Sequence, residues 1–335
     1  MDAASARVAQ WLRATRPKRV LIACSGGADS LALAHLASHH APDAGVELCA
    51  AVVDHGLQPG SQEVALRARK ACEDLGIRNS AVLPVQVQQK GSGPEAAARE
   101  ARRAALLDFA EQQQADQIWL AHTLDDQAET FLIGLTHGSG ARSLAGMPER
   151  DGLWARPVLS VRRHELRACL PAGVQAWEDP HNADPRFLRA RVRAEVLPVL
   201  TDVLGDRAVV SMSRTAALLA RDSEALDGLA HTLLEESREQ DAAGLALPVG
   251  ALRSQPAAIL TRVIRLGCLA CGVRARDLTM EHIDLVARLV TDTSISGPVA
   301  LPGRVSAVRV HDRLLITSAE PLARPPSTPG RQSED

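Results

Sequence analysis

The stretch Lys18-Arg19-Val20-Leu21-Ile22-Ala23-Cys24-Ser25-Gly26-Gly27-Ala28-Asp29-Ser30 decides the fold. KRVLIAC reads as a short buried strand that ends in a Gly-Gly loop, and Asp29 to Ala37 then reads as a helix. The free backbone N–H groups and the dipole at a helix start both favour an anion. Gly26 and Gly27 let the backbone come close to phosphate oxygens, and Ser25 and Ser30 add hydroxyl donors. Asp29 stands where the common phosphate loop has lysine. A carboxylate there makes sense when it shares a Mg²⁺ with the phosphates, so Ser25, Gly26, Gly27, Ala28, Asp29 and Ser30 are expected to bind phosphate and Asp29 to ligate metal.

Outward from the loop, strand-like and helix-like segments alternate. Val46 to Asp54 (VELCAAVVD) is a second buried strand, and Ser61, after the Pro59-Gly60 turn, can cap a helix running to Leu75. Ala81 to Val87 reads as a third strand, and Pro94 opens a long alanine-rich helix. Gln117 to Ala121 (QIWLA) is a fourth strand, followed by a helix from Asp125 to His137. Buried strands alternating with helices predict an α/β fold, a doubly wound parallel sheet with ligands at the carboxyl ends of its strands. After Gly138-Ser139-Gly140 the pattern changes. From about Arg186 it is nearly all helical, with an amphipathic stretch from Asp206 to Glu239. From Ser296, PVALPGRVSAVRVHDRLLIT reads as a small β-hairpin, with Pro302-Gly303 and His311-Asp312 as turn candidates. The expected organisation is a catalytic domain over 15–200, a mostly helical substrate domain over 205–320, and a disordered tail over 323–335.

The chain has 335 residues, 46% of them hydrophobic and 23% charged, with net charge −2, so any surface for a polyanion is local. Aromatic residues make up 2% and tyrosine is absent, which argues against base recognition by stacked aromatic platforms. No signal peptide and no membrane-spanning apolar run is read. The six cysteines are therefore expected to be reduced thiols of a cytoplasmic protein. Cys268 and Cys271 have the spacing of a metal or redox pair, but they lie in a helical pattern and lack a second pair. They are read as structural.

Three further groups of residues suit chemistry. On the helix opened by Pro94, Ala98, Arg102, Ala105 and Phe109 share a face, so Arg102 is expected to point inward and to need a carboxylate or phosphate. Arg103 is expected to be solvated. His122 ends a strand, and Asp125, Asp126 and Glu129 crowd the start of the next helix. The helix dipole explains one or two acids but not the histidine, and Asp126, Glu129 and Thr130 share a face able to hold a cationic amine. Gly138-Ser139-Gly140-Ala141-Arg142 reads either as a helix stop or as a second anion contact. In Trp177 to Arg193, Arg186, Arg189 and Arg193 have one-face spacing, which suits contact with a nucleic-acid backbone.

The Ser25–Ser30 loop resembles that of the N-type ATP pyrophosphatases (PP-loop proteins). This implies an adenine nucleotide alpha-hydrolase-like domain that binds ATP and Mg²⁺ and activates a substrate oxygen by adenylation. The stretches CSGGADSLAL, VVDHGLQPGSQEVA, EAAAREARRAAL, AHTLDDQAETFLIGLTHGSGARSLAGM, RPVLSVRRHELRACL and EDPHNADPRFLRARVRAEVLPVL together resemble tRNA(Ile)-lysidine synthase. That resemblance implies adenylation of the C2 oxygen of the wobble cytidine in tRNA(Ile) with a CAU anticodon. The free L-lysine ε-amine then displaces AMP. It further implies that Ser25 to Ser30 hold ATP with Asp29 placing Mg²⁺, and that Arg102 meets the phosphates. His122, Asp126 and Glu129 would lie beside base and lysine, and Arg189 and Arg193 would reach the tRNA or the transferring phosphate. The chain departs from the family pattern at Thr123, His181 and Ala190, where a histidine, a serine and an asparagine are common. It reads as a shorter family form without an additional carboxyl-terminal domain.

Two other readings compete. A PP-loop tRNA thiolase would need a reactive cysteine, and only Cys24 adjoins the loop. A non-catalytic nucleotide- or RNA-binding module would not call for Asp29, Arg102 and Asp126 together. The sequence suits no membrane partner and is compatible with a homodimer.

Overall fold

Val20 and Ile22 project into one apolar cluster and Leu21 into another, as a strand buried on both faces requires. This strand, β1 (Arg19–Ala23), is central to a six-stranded sheet in the computed structural model, which describes residues 2–56, 60–85, 94–136, 140–180, 184–241 and 244–318. The chain forms two compact units, residues 1–138 with 143–220 and residues 139–142 with 221–335.

In the first unit, α1 (Ala3–Thr15) begins where the Asp2 carboxylate accepts the Ser5 N–H at 2.7 Å. Then follow α2 (Ala28–Ala44), β2 (Glu47–Asp54), α3 (Ser61–Asp74), β3 (Asn79–Pro84), α4 (Pro94–Gln112), β4 (Gln117–Trp119) and α5 (Leu124–Leu135). Strand order is β3-β2-β1-β4-β6-β5, with β5 (Arg150–Asp151) and β6 (Trp154–Ala155) extending it. All pairs are parallel except β5 with β6 at the edge. Helices α1, α2 and α3 cover one face, in a cluster with Ile22, Ala50, Val52 and Ala155. Helix α4 covers the other through Leu106, Phe109 and Ala110, against Leu21, Cys49, Ile118 and Trp154.

The doubly wound parallel sheet is thus as expected, with differences at element ends. Helix α2 runs past Ala37 and through Pro42, because a proline so near the end removes only one late backbone bond. Ser61 does not cap α3. Gly60, at φ +81°, occupies that position and Ser61 is the first helical residue. Pro59, Gln86, Val87 and His137 to Ser139 lie outside the described residues, as does the tail from 319.

The further helices are α6 (Ala141–Leu144), which precedes β5 in the chain, and, after β6, α7 (Arg163–Arg167), α8 (Leu188–Arg191), one π-helical turn (Val192–Val196), α9 (Leu197–Leu204) and α10 (Arg207–Ser237). The sequence predicts a mostly helical domain over 205–320 that ends in a hairpin. The hairpin exists as β10 (Val305–Val310) and β11 (Arg313–Ser318), turning at His311-Asp312. It is the middle of a five-stranded antiparallel sheet, β7-β8-β11-β10-β9, completed by β7 (Glu239–Asp241), β8 (Gly244–Pro248) and β9 (Val299–Leu301). Helices α11 (Val249–Arg253), α12 (Ala257–Ala270) and α13 (Met280–Thr291) share one core with it. Helix α12 approaches closely at Gly267, where a Cβ would stand 3.0 Å from Ile316 and Leu245 side chains. No helix among the described residues is long and apolar enough to cross a membrane.

Candidate active site

The strand order reverses direction between β1 and β4, so the loops that follow these two strands flank the switch point where open α/β sheets bind ligands. After β1 comes the Ser25–Ser30 loop, and after β4 the His122–Glu129 cluster. Both strong sequence signatures therefore meet at one edge of the sheet.

The loop is built to leave amides free. Gly27 occupies the N-cap of α2 without any side-chain acceptor, which leaves the first-turn N–H groups to an anion. Gly26 is required: its φ is +79°, and a Cβ there would stand 2.8 Å from the Ala68 Cβ on α3. The Ser30 hydroxyl donates to Gly27 O at 2.9 Å and accepts from Ser25 N at 3.2 Å, holding the turn shut. Trp177 N donates to Gly26 O at 2.9 Å, so the segment carrying the Trp177–Asp179 motif is tied to the loop. Cys24 is buried beneath it in a cluster that includes Cys72.

Asp29 leaves the loop toward α7. Its carboxylate accepts Arg167 Nε at 2.5 Å and Nη2 at 3.2 Å, and Arg163 Nε lies 3.6 Å away. Among the described residues no group of three or more His, Cys, Asp or Glu side chains could hold a metal. The single carboxylate nonetheless suits Mg²⁺, which commonly takes one or two carboxylates and fills its octahedron with phosphate oxygens and water.

Thr123, one of the departures from the family pattern, caps α5. Its N–H and hydroxyl both donate to Asp126 Oδ2, at 2.8 and 2.7 Å, in a capping box. Asp126 Oδ1 accepts Arg163 Nη2 at 2.9 Å and Arg193 Nη2 at 3.2 Å. Glu129 is 0% exposed and receives three guanidinium groups. Oε1 accepts Arg163 Nη2 at 2.9 Å and Arg193 Nε at 2.7 Å, while Oε2 accepts Arg189 Nε and Arg193 Nη2, both at 2.9 Å. Asp125 accepts the Arg163 N–H at 2.7 Å and the Arg162 side chain at 3.2 Å.

The face offered by Asp126, Glu129 and Thr130 is therefore cation-binding, but Arg189 takes it: Nη2 also donates to Asp126 O at 3.1 Å and Thr130 Oγ1 at 3.0 Å. Arg163 spans the two signatures, lying near Asp29 and bonded to both Asp126 and Glu129. It and Arg167 were not singled out in the sequence. They are four apart, hence on one helix face, but nothing local marks their partners, which lie 34 to 138 residues away.

Three expectations need correction. Arg102 is exposed and meets His55 Nε2 through Nε at 3.2 Å and Nη2 at 3.1 Å. The packed face of α4 runs through Leu106, Phe109 and Ala110, about one residue further round than expected. Arg103 is accordingly not solvated but half-buried, its guanidinium 4.4 Å from the Trp154 ring centroid. Arg186 does not join Arg189 and Arg193, because it precedes α8 and pairs with Asp184. Arg142 pairs with Asp227 at 2.5 Å within the second unit, while His181 lies outside the described residues.

Electrostatics fix two protonation states. Burial pushes the His122 imidazole down to about 4, against the pull of Asp126 and with help from Arg156, Arg189 and Arg99. Burial pushes Asp126 up, but Arg163 and the Thr123 hydrogen bonds outweigh it and hold the carboxyl at about 2. Two acid windows of instability follow. An unfolded histidine takes up its proton near 6.5 while His122 in the fold resists to about 4, so stability declines as pH falls through that interval. Asp126 contributes about 2 kcal/mol that is intact above the unfolded value of 3.8 and lost as pH falls toward 2. Urea unfolding followed from pH 7 to 2 is expected to show both, and His122→Gln to flatten only the upper one. An unchanged upper window would remove the neutral-histidine assignment.

A PP-loop domain family model matches residues 1–200, and a TilS substrate binding domain model matches residues 247–315. A tRNA(Ile)-lysidine synthase of Leifsonia xyli subsp. xyli is 48% identical over 298 residues, 88% of this chain and 88% of the relative. One of Thermobifida fusca is 45% identical over 305 residues, covering 90% and 92%. Among solved structures, the U34-tRNA thiolase of Methanococcus maripaludis is similar with TM-score 0.52 and 17% identity, over 65% of this chain and 78% of that one. At that identity the likeness is one of fold.

Proposed function

This chain belongs to the tRNA(Ile)-lysidine synthase family, and we infer that it joins free L-lysine to C2 of the wobble cytidine in tRNA(Ile) with a CAU anticodon, using ATP. The observation that carries this reading is the match over both units of one chain, to relatives that it covers almost end to end. The cytidine O2 would attack the α-phosphate, with pyrophosphate leaving. The lysine ε-amine would then attack C2, breaking the C2–O bond and releasing AMP. This would take place in the cytoplasm.

In this reading the free amides at the start of α2 receive the phosphates, and Gly26 and Gly27 let them approach. Asp29 would hold Mg²⁺, exchanging its half-exposed partner Arg167 for it. When bound, that ion neutralises charge on the phosphate oxygens. Glu129 is saturated by arginines and acts as a positioning residue, aiming Arg163, Arg189 and Arg193 at the transferring phosphate. His122 is neutral with a buried, unpartnered Nδ1, which suits accepting a hydrogen bond from the lysine ammonium. The thiols suit sulfur transfer poorly. A hydrogen bond with Cys72 holds Cys24 down to about 7, but Cys24 is buried, and burial pushes Cys268 up to about 12 and Cys271 upward as well.

The deciding experiment is incubation with ATP, radiolabelled lysine and total tRNA. Label is expected to enter tRNA only when ATP is present. Absence of ATP-dependent label from the folded protein would overturn the reading.

A further inference from the structure

Arg156 follows β6 directly and is 5% exposed. Among the described residues its guanidinium meets one acceptor, Pro148 O at 2.8 Å from Nη1, and its Nε is buried without a partner. A guanidinium carries five N–H donors, and burying one with no carboxylate against it is strongly unfavourable. Burial lowers its affinity for the proton, Asp151 opposes this, and Arg103 and Arg99 add to it. Asp151 thus offsets part of the positive charge of Arg103 and Arg99, but no carboxylate among the described residues forms an ion pair with Arg156.

These neighbours are arranged in order. Trp154, two residues before Arg156, faces α4, and Arg103 stacks on its ring. Stacking leaves the edge N–H groups of a guanidinium free to bond. Arg99 lies one turn nearer the start of α4 and is exposed. Because α4 returns antiparallel to the strands, its first half lies at their carboxyl ends. Three guanidinium groups therefore gather beside the reacting edge. The phosphate loop cannot supply their anion: it opens α2, on the opposite face of the sheet, and β6 is two strands from β1, about 10 Å sideways.

We propose that Arg99, Arg103 and Arg156 bind a phosphodiester of the RNA substrate on the α4 face, apart from the ATP phosphates. The inference rests on the tRNA reading above, since the second substrate in that reading is a polyanion. Arg156 is kept without a carboxylate partner so that the RNA backbone completes it.

The test is anisotropy titration of a CAU-anticodon tRNA transcript with Arg99→Gln, Arg103→Gln and Arg156→Gln, over a series of KCl concentrations. Each variant is expected to bind roughly 3- to 10-fold more weakly. Each should also lower the slope of log K against log[KCl] by about 0.7 to 1. Affinity for a non-hydrolysable ATP analogue should hold. Arg156→Gln should also leave the melting temperature unchanged or higher, since it removes an uncompensated buried charge; a structural arginine would lower it. Unaltered tRNA affinity and salt slope in Arg99→Gln and Arg103→Gln would overturn the proposal, as would a matching loss of ATP-analogue binding. Lysine labelling by the unmodified protein separates the two claims. Labelled tRNA with salt slopes unchanged in the variants sinks only this site. Weakened RNA binding in the variants without any lysine labelling sinks only the ligase reading.

Discussion

Asp29→Ala is expected to lower lysine-dependent pyrophosphate release by about a thousandfold, the size of effect seen when one preorganised group at a transferring centre is lost, while leaving the protein folded. Two effects compete in this substitution. Asp29 is bonded to Arg167, so its removal also breaks an ion pair. Arg167 is half exposed, and such pairs contribute about 1 kcal/mol or less. Arg163 keeps Asp126 and Glu129 as partners, so it is not left uncompensated. Stability should therefore hardly move while turnover collapses. Pyrophosphate release measured with tRNA, ATP and lysine, beside a urea melt of the same preparation, separates the two. Arg167→Ala supplies the control. If Asp29 served only to anchor Arg167, both variants would lose the same activity; if Asp29 acts on the phosphates, Arg167→Ala loses much less. Unchanged release in Asp29→Ala would overturn the adenylation mechanism.

The contrast between these two residues shows what the sequence could convey. The loop from Ser25 to Ser30 was legible because strand, turn and helix start are contiguous, and each local rule agrees with the others. The Val305–Ser318 hairpin was legible for the same reason. Strands β5 and β6 are two residues each, too short for any period to emerge. Strand β8 (GLALP) lies between the three-residue β7 and helix α11 and shows an apolar run that does not separate strand from helix. At the site, the acids of α5 and the arginines of α8 were each visible as local clusters. That they neutralise each other was not, because pairing across 60 to 64 residues is decided by tertiary packing. The misplacement of Arg102 is one of phase. An alanine-rich helix offers two adjacent faces of nearly equal polarity, and packing against Leu21, Cys49, Ile118 and Trp154 chooses between them.

The same saturation of acids by arginines sets the largest expected change in stability. Glu129→Gln preserves size but puts an amide N–H₂ where an oxygen accepted guanidinium donors, leaving Arg163 and Arg193 to share the Asp126 carboxylate and Arg189 without its carboxylate partner. Removing one partner of a buried ion pair costs about 3 to 5 kcal/mol. The lower end applies here, because Arg189 and Arg193 are partly exposed and can turn toward water. The loss is read from the urea midpoint at neutral pH, and a midpoint unchanged from that of the unmodified protein would mean the arginines are not held by Glu129. The two half-reactions decide what the carboxylate is for. If Glu129 aims arginines at the phosphate, adenylation of tRNA and its discharge by lysine fall together, and the loss is in kcat with little change in the KM for lysine. If instead adenylation survives while lysine transfer fails, the carboxylate acts on the amine, and the positioning role assigned to it is wrong. Asp126→Asn supports the comparison. Asp126 shares Arg163 and Arg193 with Glu129, so under the positioning mechanism the double variant loses less than the sum of the single losses.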